Sequence, residues 1–199
     1  DQSSFTKCEM RGRDAAEALQ FISANNVARG PGRITYTQML NTRGGIECDL
    51  TVARLAEDHF YIVTGTGFRT HDFAWIVDHL KPGLAAKLTD ITEQYGTLSV
   101  MGPKSRAVIQ AVTKTDMSNA AFKFGEVREI AIAGHKVRAL RVTYVGELGW
   151  ELHMPIAATG EVFDALMAAG KPHGIAPVGY RALESLRLDE GDAHWLETS

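Results

Sequence analysis

The sequence predicts an α+β fold made of two copies of a β-α-β-β-β-α unit with antiparallel sheets. Strand-like runs and amphipathic helices follow one another in the same order in both halves. The halves also match at a fixed spacing: the glycines of Met10-Arg11-Gly12 and Val100-Met101-Gly102 stand ninety residues apart (102 − 12), and a glutamine follows each eight residues later. Chance reuse of this order is the alternative, but the matched spacing favours duplication. We therefore expect pseudo-repeats over about residues 1–90 and 91–175.

The first copy is expected to hold four strands and two helices. Ala15, Leu19 and Ile22 form the i, i+4, i+7 apolar stripe of its first helix. Lys81-Pro82-Gly83 carries the stop signals that end its second helix. The predicted elements are strand 5–10, helix 14–23, strands 36–40, 46–55 and 59–64, and helix 70–80.

The second copy repeats this plan and is followed by one more helix. Its predicted elements are strand 98–101, a helix around residues 108–112, strands 127–133, 136–144 and 150–154, and helix 159–169. A C-terminal helix within residues 176–190 is expected to carry Pro177 in its first turn, where the fixed φ of proline fits. Residues 191–199 are interpreted as an extended tail.

Composition excludes several classes of protein. The 199 residues are 45% hydrophobic and 23% charged, with a net charge of −3, and this is typical of a globular protein. A nucleic-acid surface needs a concentrated basic patch, and no cluster of lysine and arginine stands out. No apolar run reaches the roughly 20 residues that span a bilayer. We therefore expect neither a nucleic acid nor a membrane as partner.

The cysteines and histidines do not predict a metal site. Cys8 and Cys48 both fall in strand-like segments, and two buried thiols in the reducing cytoplasm are the expected state. The seven histidines show no metal-ligand spacing. The chain begins without methionine and ends without a closing element, so we expect a fragment of a longer protein.

The central stretch is residues 36–55, where two strands flank a hairpin turn at Asn41-Thr42-Arg43-Gly44-Gly45. Period-2 alternation puts Cys48 and Leu50 on one face of the second strand, and Asp49 and Thr51 on the other. Aspartate fits poorly in mid-strand. Asp49 is therefore either a solvated acid on an open face, the commoner case, or a carboxylate held in a pocket for chemistry.

Two other stretches are candidates for a site. Gly65-Thr66-Gly67 exposes backbone N–H groups before a helix, although a GxG turn alone is weak evidence. In the segment 144–151, two glycines bend a strand beside Tyr144, Glu147 and Glu151. Glu151 alternates with Leu152 and can point away from the core, as a solvated acid or as part of a site.

These signals agree with one another. One carboxylate from each half, Asp49 and Glu151, could face a common cavity, and a tyrosine precedes each of them, Tyr36 and Tyr144. Flat rings and carboxylates suit a planar heterocycle that donates N–H bonds, because a carboxylate accepts two parallel bonds. The residues alone thus predict a cavity for a flat, amino-bearing ring, with an acid available for proton transfer.

The same stretches resemble a known family. YTQMLNTRGGIECDLTVARL and FYIVTGTG, with the later YVGELGWELHMP and ALESLRLDEG, are similar to the tetrahydrofolate-binding region of dimethylglycine and sarcosine dehydrogenases. They resemble more distantly the aminomethyltransferase, or T-protein, of the glycine cleavage system. The resemblance covers nearly the whole chain and implies duplicated α+β units around a central folate site.

The resemblance also implies roles for single residues. Asp49 matches the catalytic aspartate beside the folate nitrogens. Tyr36 and Tyr144 match tyrosines of the folate pocket, and Glu151 matches the glutamate that grips the pterin, with Glu147 as the competing choice. Further matches next to the pterin or its linker are Thr51, Gly65 and Gly67.

One departure bears on the branch of the family. T-proteins have an arginine for the glutamate tail of folate four residues before the arginine of the LRL motif, which here is Arg187, and Leu183 stands at that position. This favours the dehydrogenase branch. The family continues past His194-Trp195 into a C-terminal barrel, and the dehydrogenases carry an N-terminal flavin domain; neither is expected in this chain. FAD is not expected to bind here, since no GxGxxG fingerprint occurs.

The function implied is capture of a one-carbon unit at the iminium or formaldehyde level to form 5,10-methylenetetrahydrofolate. The donor would be a methylated glycine oxidised by a flavin domain of the same polypeptide. The alternatives are a stand-alone T-protein, with a lipoyl carrier protein as partner, and a folate-binding or regulatory homologue without turnover.

Overall fold

The computed structural model describes residues 1–189, which form two antiparallel sheets, one from each half of the chain. The first half contains five strands and two helices. Its elements are β1 (Thr6–Arg11), α1 (Ala15–Ile22), β2 (Ile34–Leu40), β3 (Ile46–Ala56), β4 (His59–Thr64), α2 (Arg69–His79) and β5 (Lys87–Asp90). The strands lie in the order β2-β3-β4-β1-β5.

The second half repeats the element order and the sheet order. Its elements are β6 (Tyr95–Met101), α3 (Ser105–Val112), β7 (Val127–Ile132), β8 (His135–Leu140), β9 (Gly149–Pro155) and α4 (Thr159–Gly170), with α5 (Tyr180–Asp189) after them. Its sheet runs β7-β8-β9-β6, which is the order β2-β3-β4-β1 of the first half. The predicted α+β fold with antiparallel sheets is confirmed.

Two glutamines ninety residues apart hold corresponding loops. Gln20 Oε1 accepts the backbone N–H of Val27 at 2.9 Å, and Gln110 Oε1 accepts that of Met117 at 2.9 Å. Each glutamine closes the loop that follows its helix, α1 or α3. These matched contacts support the proposal that the chain consists of two pseudo-repeats.

The glycines that mark the repeat also match. Gly12 has φ 139° and Gly102 has φ 118°, in the region that favours glycine. Each follows a first strand, β1 or β6, and turns the chain into the first helix of its repeat. A Cβ at Gly12 would lie 1.9 Å from the carbonyl oxygen of Ala85, so this turn also needs the close backbone approach that only glycine permits.

Three apolar clusters organise the fold into layers. In the first half α1 and α2 cover one face of the sheet, and Leu19, Ile76 and Leu50 belong to one buried cluster there. In the second half α3 and α4 cover the sheet in the same way. A third cluster, which includes Ala53 and Leu140, joins the two sheets face to face. Every sheet therefore has one face on its helices and one on the other half.

Some boundaries differ from the sequence prediction. The strand expected over 136–144 ends at Leu140, so Tyr144 lies in a loop. The C-terminal helix begins at Tyr180, which leaves Pro177 outside it. The strand β5 was not predicted; four residues that pair only with β1 carry too short a pattern. The expected tail and His194-Trp195 lie outside the described residues.

Within residues 1–189, no helix is both long and apolar enough to cross a membrane.

Candidate functional site

Asp49 is held at both carboxylate oxygens by side chains of the neighbouring strand. Tyr36 Oη donates to Asp49 Oδ2 at 2.8 Å, and Gln38 Nε2 donates to Asp49 Oδ1 at 2.9 Å. The strand register explains both contacts. Gln38 lies directly opposite Asp49 across β2 and β3. Tyr36 lies opposite Thr51, so it is the diagonal neighbour of Asp49 on the same face and its long side chain can reach the carboxylate. Asp49 is half-buried, whereas Tyr36 is 61% exposed. The carboxylate is therefore fixed in orientation on an accessible surface.

Of the predicted positions Thr51, Gly65 and Gly67, the first two lie next to Asp49 in the sheet and the third lies in the turn that follows β4. Thr51 is on the face of Asp49, two residues along β3. Gly65 directly follows β4, and Oγ1 of Thr64 before it lies 3.3 Å from the carbonyl oxygen of Asp49. Gly67 belongs to the single turn 66–68, and a Cβ there would meet nothing within 4 Å. The GTG turn thus lies at the end of the sheet that carries Asp49.

The two predicted carboxylates lie on sheet surfaces that face each other. Asp49 shares its side of β3 with Ala53, which belongs to the cluster between the sheets. Leu140 belongs to the same cluster and pairs directly with Glu151 across β8 and β9, so Glu151 shares its face. Each half thus turns one acid toward the other half, while a common cavity for the two acids stays a prediction.

Glu151 lies beside one hydrogen-bonded partner and one unsatisfied hydroxyl group. Its Oε2 is 3.3 Å from Nε2 of the fully buried His153. Ser99 pairs with Glu151 across β6 and β9, and its buried Oγ lacks a hydrogen-bond partner within the described part of the chain. Glu147 is exposed in the preceding loop. Of the two competing acids, Glu151 is the one surrounded by polar groups of the fold.

Lys7 adds a buried amine to the same inter-sheet surface. It is fully buried, and its Nζ donates to the carbonyl oxygens of Ser3 and Phe5, each at 2.8 Å. Burial lowers the pKa of Lys7 to about 8, although the charges of Glu93 and Glu151 act in the opposite direction. The Lys7 amine therefore interacts electrostatically with the Glu151 carboxylate.

Tyr144 is anchored to the C-terminal helix α5. Its Oη donates to Glu184 Oε1 at 2.9 Å, while Arg187 Nη2 binds Glu184 Oε2 at 3.0 Å. Burial and the hydrogen bond to Glu184 raise the pKa of the Tyr144 phenol. Burial alone would raise the pKa of Glu184, but the bonds from Tyr144 and Arg187 lower it below its usual value. The loop of Tyr144 is thereby fixed to α5.

A separate cluster brings together three potential metal ligands, Cys48, His71 and Asp72, whose donor atoms lie within 4.8 Å of one another. Both carboxylate oxygens of Asp72 already have partners in the protein. Thr64 Oγ1 donates to Asp72 Oδ2, and His71 Nδ1 lies 3.0 Å from Asp72 Oδ1. Burial, with the charge and hydrogen bond of Asp72, raises the pKa of the Cys48 thiol well above its ordinary value. We interpret the cluster as a hydrogen-bonded network that ties β3 and β4 to α2.

Gln38, His153 and Glu184 make these contacts but were not among the residues predicted from sequence. Gln38 and His153 each lie two positions from a predicted residue on the same face of a strand, so period-2 alternation was a signal that could have found them. Glu184 stands three residues before Arg187 on α5, which is the spacing of a helical ion pair. The partner Tyr144, forty residues earlier, has no such local signal.

The chain is similar in sequence to one protein family and to two dehydrogenases. The GCVT N-terminal domain family matches residues 1–198. The human mitochondrial sarcosine dehydrogenase is 42% identical over 98% of this chain, which corresponds to 23% of that protein. The mouse mitochondrial dimethylglycine dehydrogenase is 35% identical over 98% of this chain and 22% of its own length. The chain thus spans less than a quarter of these two relatives.

A solved structure has the same fold. The glycine cleavage system aminomethyltransferase T from Bartonella henselae superposes with a TM-score of 0.82 at 26% sequence identity. The superposition covers 96% of this chain and 50% of that one. The architecture of two facing sheets is therefore shared with a protein of that description.

Proposed function

Because the chain belongs to the GCVT N-terminal domain family, we propose that it is the tetrahydrofolate-binding, one-carbon-transfer region of a dimethylglycine or sarcosine dehydrogenase-like enzyme. In this function tetrahydrofolate is the acceptor of a carbon at the iminium or formaldehyde level, and 5,10-methylenetetrahydrofolate is the product. The identities of 42% and 35% to two such dehydrogenases support this branch.

The observation that carries the proposal is the orientation of Asp49. A carboxylate with both oxygens hydrogen-bonded, to Tyr36 and Gln38, cannot rotate freely and so presents its remaining lone pairs in a fixed direction. Such a group can orient an attacking amine, accept its proton and stabilise an adjacent cation. Asp49 is accordingly the proposed catalytic residue.

The surroundings of Glu151 fit a pterin ring. Its carboxylate accepts N–H bonds, and the hydroxyl group of Ser99 next to it lacks a partner in the described chain. The flat, exposed ring of Tyr36 offers a stacking surface. We assign the pterin to Glu151, with Tyr36, Tyr144, Thr51, Gly65 and Gly67 around the folate.

The proposed partners follow from the reaction. The carbon donor is a methylated glycine, and its oxidation requires a flavin, which we assign to another domain of the same polypeptide. FAD would supply the two-electron oxidation of the donor there. The residues of this chain would then hold the acceptor and move a proton at Asp49. A cytoplasmic location stays a prediction, and the two animal relatives bear the word mitochondrial in their names.

A second candidate is a glycine cleavage aminomethyltransferase acting on a lipoylated carrier protein. It is favoured by the structural similarity to aminomethyltransferase T, with a TM-score of 0.82. Leu183 replaces the arginine that the T-protein pattern has for the folate tail, which favours the first candidate. Supplying an aminomethyl-lipoyl carrier as the only donor separates them, since only the second function then gives the methylene product.

The test is Asp49→Asn in the full-length polypeptide, with 5,10-methylenetetrahydrofolate and free formaldehyde measured together. Loss of the proton acceptor is expected to lower methylene product about a hundredfold, to release formaldehyde in its place and to leave folate binding within a fewfold. Asp78→Asn, an exposed aspartate of α2, is the matched control. Unchanged product in Asp49→Asn would overturn the catalytic assignment of Asp49. A wild type that binds folate but forms no methylene product would favour a binding or regulatory homologue.

A further inference from the structure

A buried histidine connects the two halves of the chain to Glu151. His153 and Tyr61 are both fully buried, although they come from β9 and β4 of different sheets. Tyr61 Oη lies 3.0 Å from His153 Nδ1, and Thr97 Oγ1 also lies 3.0 Å from that nitrogen. On the other side of the ring, His153 Nε2 lies 3.3 Å from Glu151 Oε2. Both ring nitrogens are therefore engaged.

The partners determine which nitrogen carries the hydrogen. An ionised carboxylate only accepts hydrogen bonds, so Nε2 of His153 must donate to Glu151. Burial disfavours the charged imidazole and lowers the pKa of His153. In the neutral ring Nδ1 is then the acceptor, and a hydroxyl group of Tyr61 or Thr97 donates to it. The hydrogen bonds run in one direction, from the hydroxyl groups of Tyr61 and Thr97 through His153 to Glu151.

Neighbouring groups keep this chain of bonds rigid. The guanidinium of Arg138 lies over the ring of Tyr61, 4.3 Å from its centroid, and the rings of Tyr61 and His153 meet edge to face at 5.4 Å. Glu151 has a side chain that is 17% exposed, whereas that of His153 is wholly enclosed. Oε2 is therefore engaged by the buried ring, whereas Oε1 has no hydrogen-bond partner among residues 1–189.

We propose that His153 is a positioning residue that fixes Glu151 as an oriented hydrogen-bond acceptor for a ligand with paired N–H donors. This inference rests on the proposed function, in which that ligand is the amino-bearing edge of the pterin. The first half of the chain contributes through Tyr61, so the orientation of Glu151 depends on the packing of both sheets.

The experiment measures binding to the full-length protein of 5-formyltetrahydrofolate and of its 2-desamino-2-methyl analogue, which lacks the amino group. His153→Leu, which removes the donor, is expected to weaken binding of 5-formyltetrahydrofolate about tenfold and binding of the analogue less than twofold. His153→Gln keeps an N–H donor and is expected to restore most of the difference. His135→Leu is the matched control, because His135 pairs with Glu161 at 2.9 Å on the outer surface.

Two further variants separate the possible outcomes. Glu151→Gln should weaken 5-formyltetrahydrofolate binding by itself and should remove the additional effect of His153→Leu. Tyr61→Phe keeps the imidazole and so serves as the test if His153→Leu does not fold. It should weaken binding of 5-formyltetrahydrofolate more than binding of the analogue, by a smaller factor than His153→Leu does. If Glu151→Gln has no effect, the assigned pterin site is wrong and the inference fails with it. If Glu151→Gln weakens binding but the histidine and tyrosine variants affect both ligands equally or not at all, the inference alone is overturned.

Discussion

The phenol of Tyr36 and the carboxylate of Asp49 form a 2.8 Å hydrogen bond across two adjacent strands. The bond is possible because Tyr36 and Gln38 lie on the same face of β2 and Asp49 faces both of them from β3. Tyr36 nevertheless leaves most of its ring exposed. One residue thus both orients the proposed catalytic acid and offers an aromatic surface, and these two roles can be separated by substitution.

We expect Tyr36→Phe to reduce catalysis more than binding. The phenyl ring keeps the stacking surface, while the hydrogen bond to Asp49 is lost, and a bond to a partly exposed carboxylate contributes about 1 kcal/mol. Formation of 5,10-methylenetetrahydrofolate should therefore fall roughly fivefold, with the folate dissociation constant changed less than twofold.

Steady-state kinetics and equilibrium binding on the full-length protein check this prediction. Tyr95→Phe is a suitable control, because Tyr95 lies against Tyr61 in the inter-sheet cluster rather than beside Asp49. An equal loss of turnover and of affinity in Tyr36→Phe would contradict the separation of roles.

Burial of Lys7 predicts a pH-dependent cost to folding. Its folded pKa of about 8 lies below the ordinary value of 10.5, so between these values the unfolded chain binds more protons than the folded one, and stability rises with pH. Below pH 8 the full cost of burying the charge is present. Relative to Lys7→Met, the wild type should gain roughly 2 kcal/mol of unfolding free energy between pH 8 and 10.5.

Urea unfolding of both proteins across this pH range measures the difference. Burial also raises the pKa of Cys8 to about 12, which acts in the opposite direction, but this contribution is common to both proteins and cancels. Lys87→Met, an exposed lysine on β5, should differ from the wild type by an amount independent of pH. A pH-independent difference for Lys7→Met would show that the buried amine keeps its ordinary pKa.

The sequence predicted those parts of the fold that depend on short-range patterns along the chain. Period-2 alternation correctly placed Cys48 and Leu50 in the core, and the spacing of Gly12 and Gly102 indicated the repeated order that the sheets show. Contacts between the halves carry no such signal. Tyr61 and His153 are 92 residues apart, and their meeting depends on how the sheets pack. The roles of Asp49 and Glu151 remain predictions, since geometry fixes their positions and not their chemistry.

Removal of metal ions should not affect the stability of this region. The thiol of Cys48 is expected to keep its proton at neutral pH, because burial and Asp72 raise its pKa, and a protonated thiol is a poor metal ligand. Dialysis against a chelator should leave the thermal midpoint unchanged, and metal analysis should find less than one zinc per chain. One equivalent of zinc lost together with a lowered midpoint would instead make Cys48, His71 and Asp72 a metal site.

The contact between Tyr144 and α5 predicts a local loss of stability in Glu184→Gln. Arg187 is almost fully buried, with a side chain that is 1% exposed, and Glu184 is its ion-pair partner at 3.0 Å. Removing the carboxylate charge beside a buried guanidinium should lower the stability of α5 by about 2 kcal/mol, and it also weakens the bond from Tyr144. Hydrogen exchange of the α5 amides at pH 7 should accelerate accordingly, whereas Glu129→Gln, in an exposed pair with Lys136, should not change it.

The pH dependence of the same exchange gives a second check of this ion pair. The folded pKa of Glu184 is lowered by Tyr144 and Arg187, so its stabilisation is fully present above the ordinary carboxyl pKa and is lost as the pH falls through the lowered value. After correction for intrinsic exchange rates, protection of α5 in the wild type should therefore approach that of Glu184→Gln in acid. A difference between the two proteins that persists unchanged below the folded pKa would mean that the size and hydrogen bonding of the side chain, and not its charge, hold α5 to the loop of Tyr144.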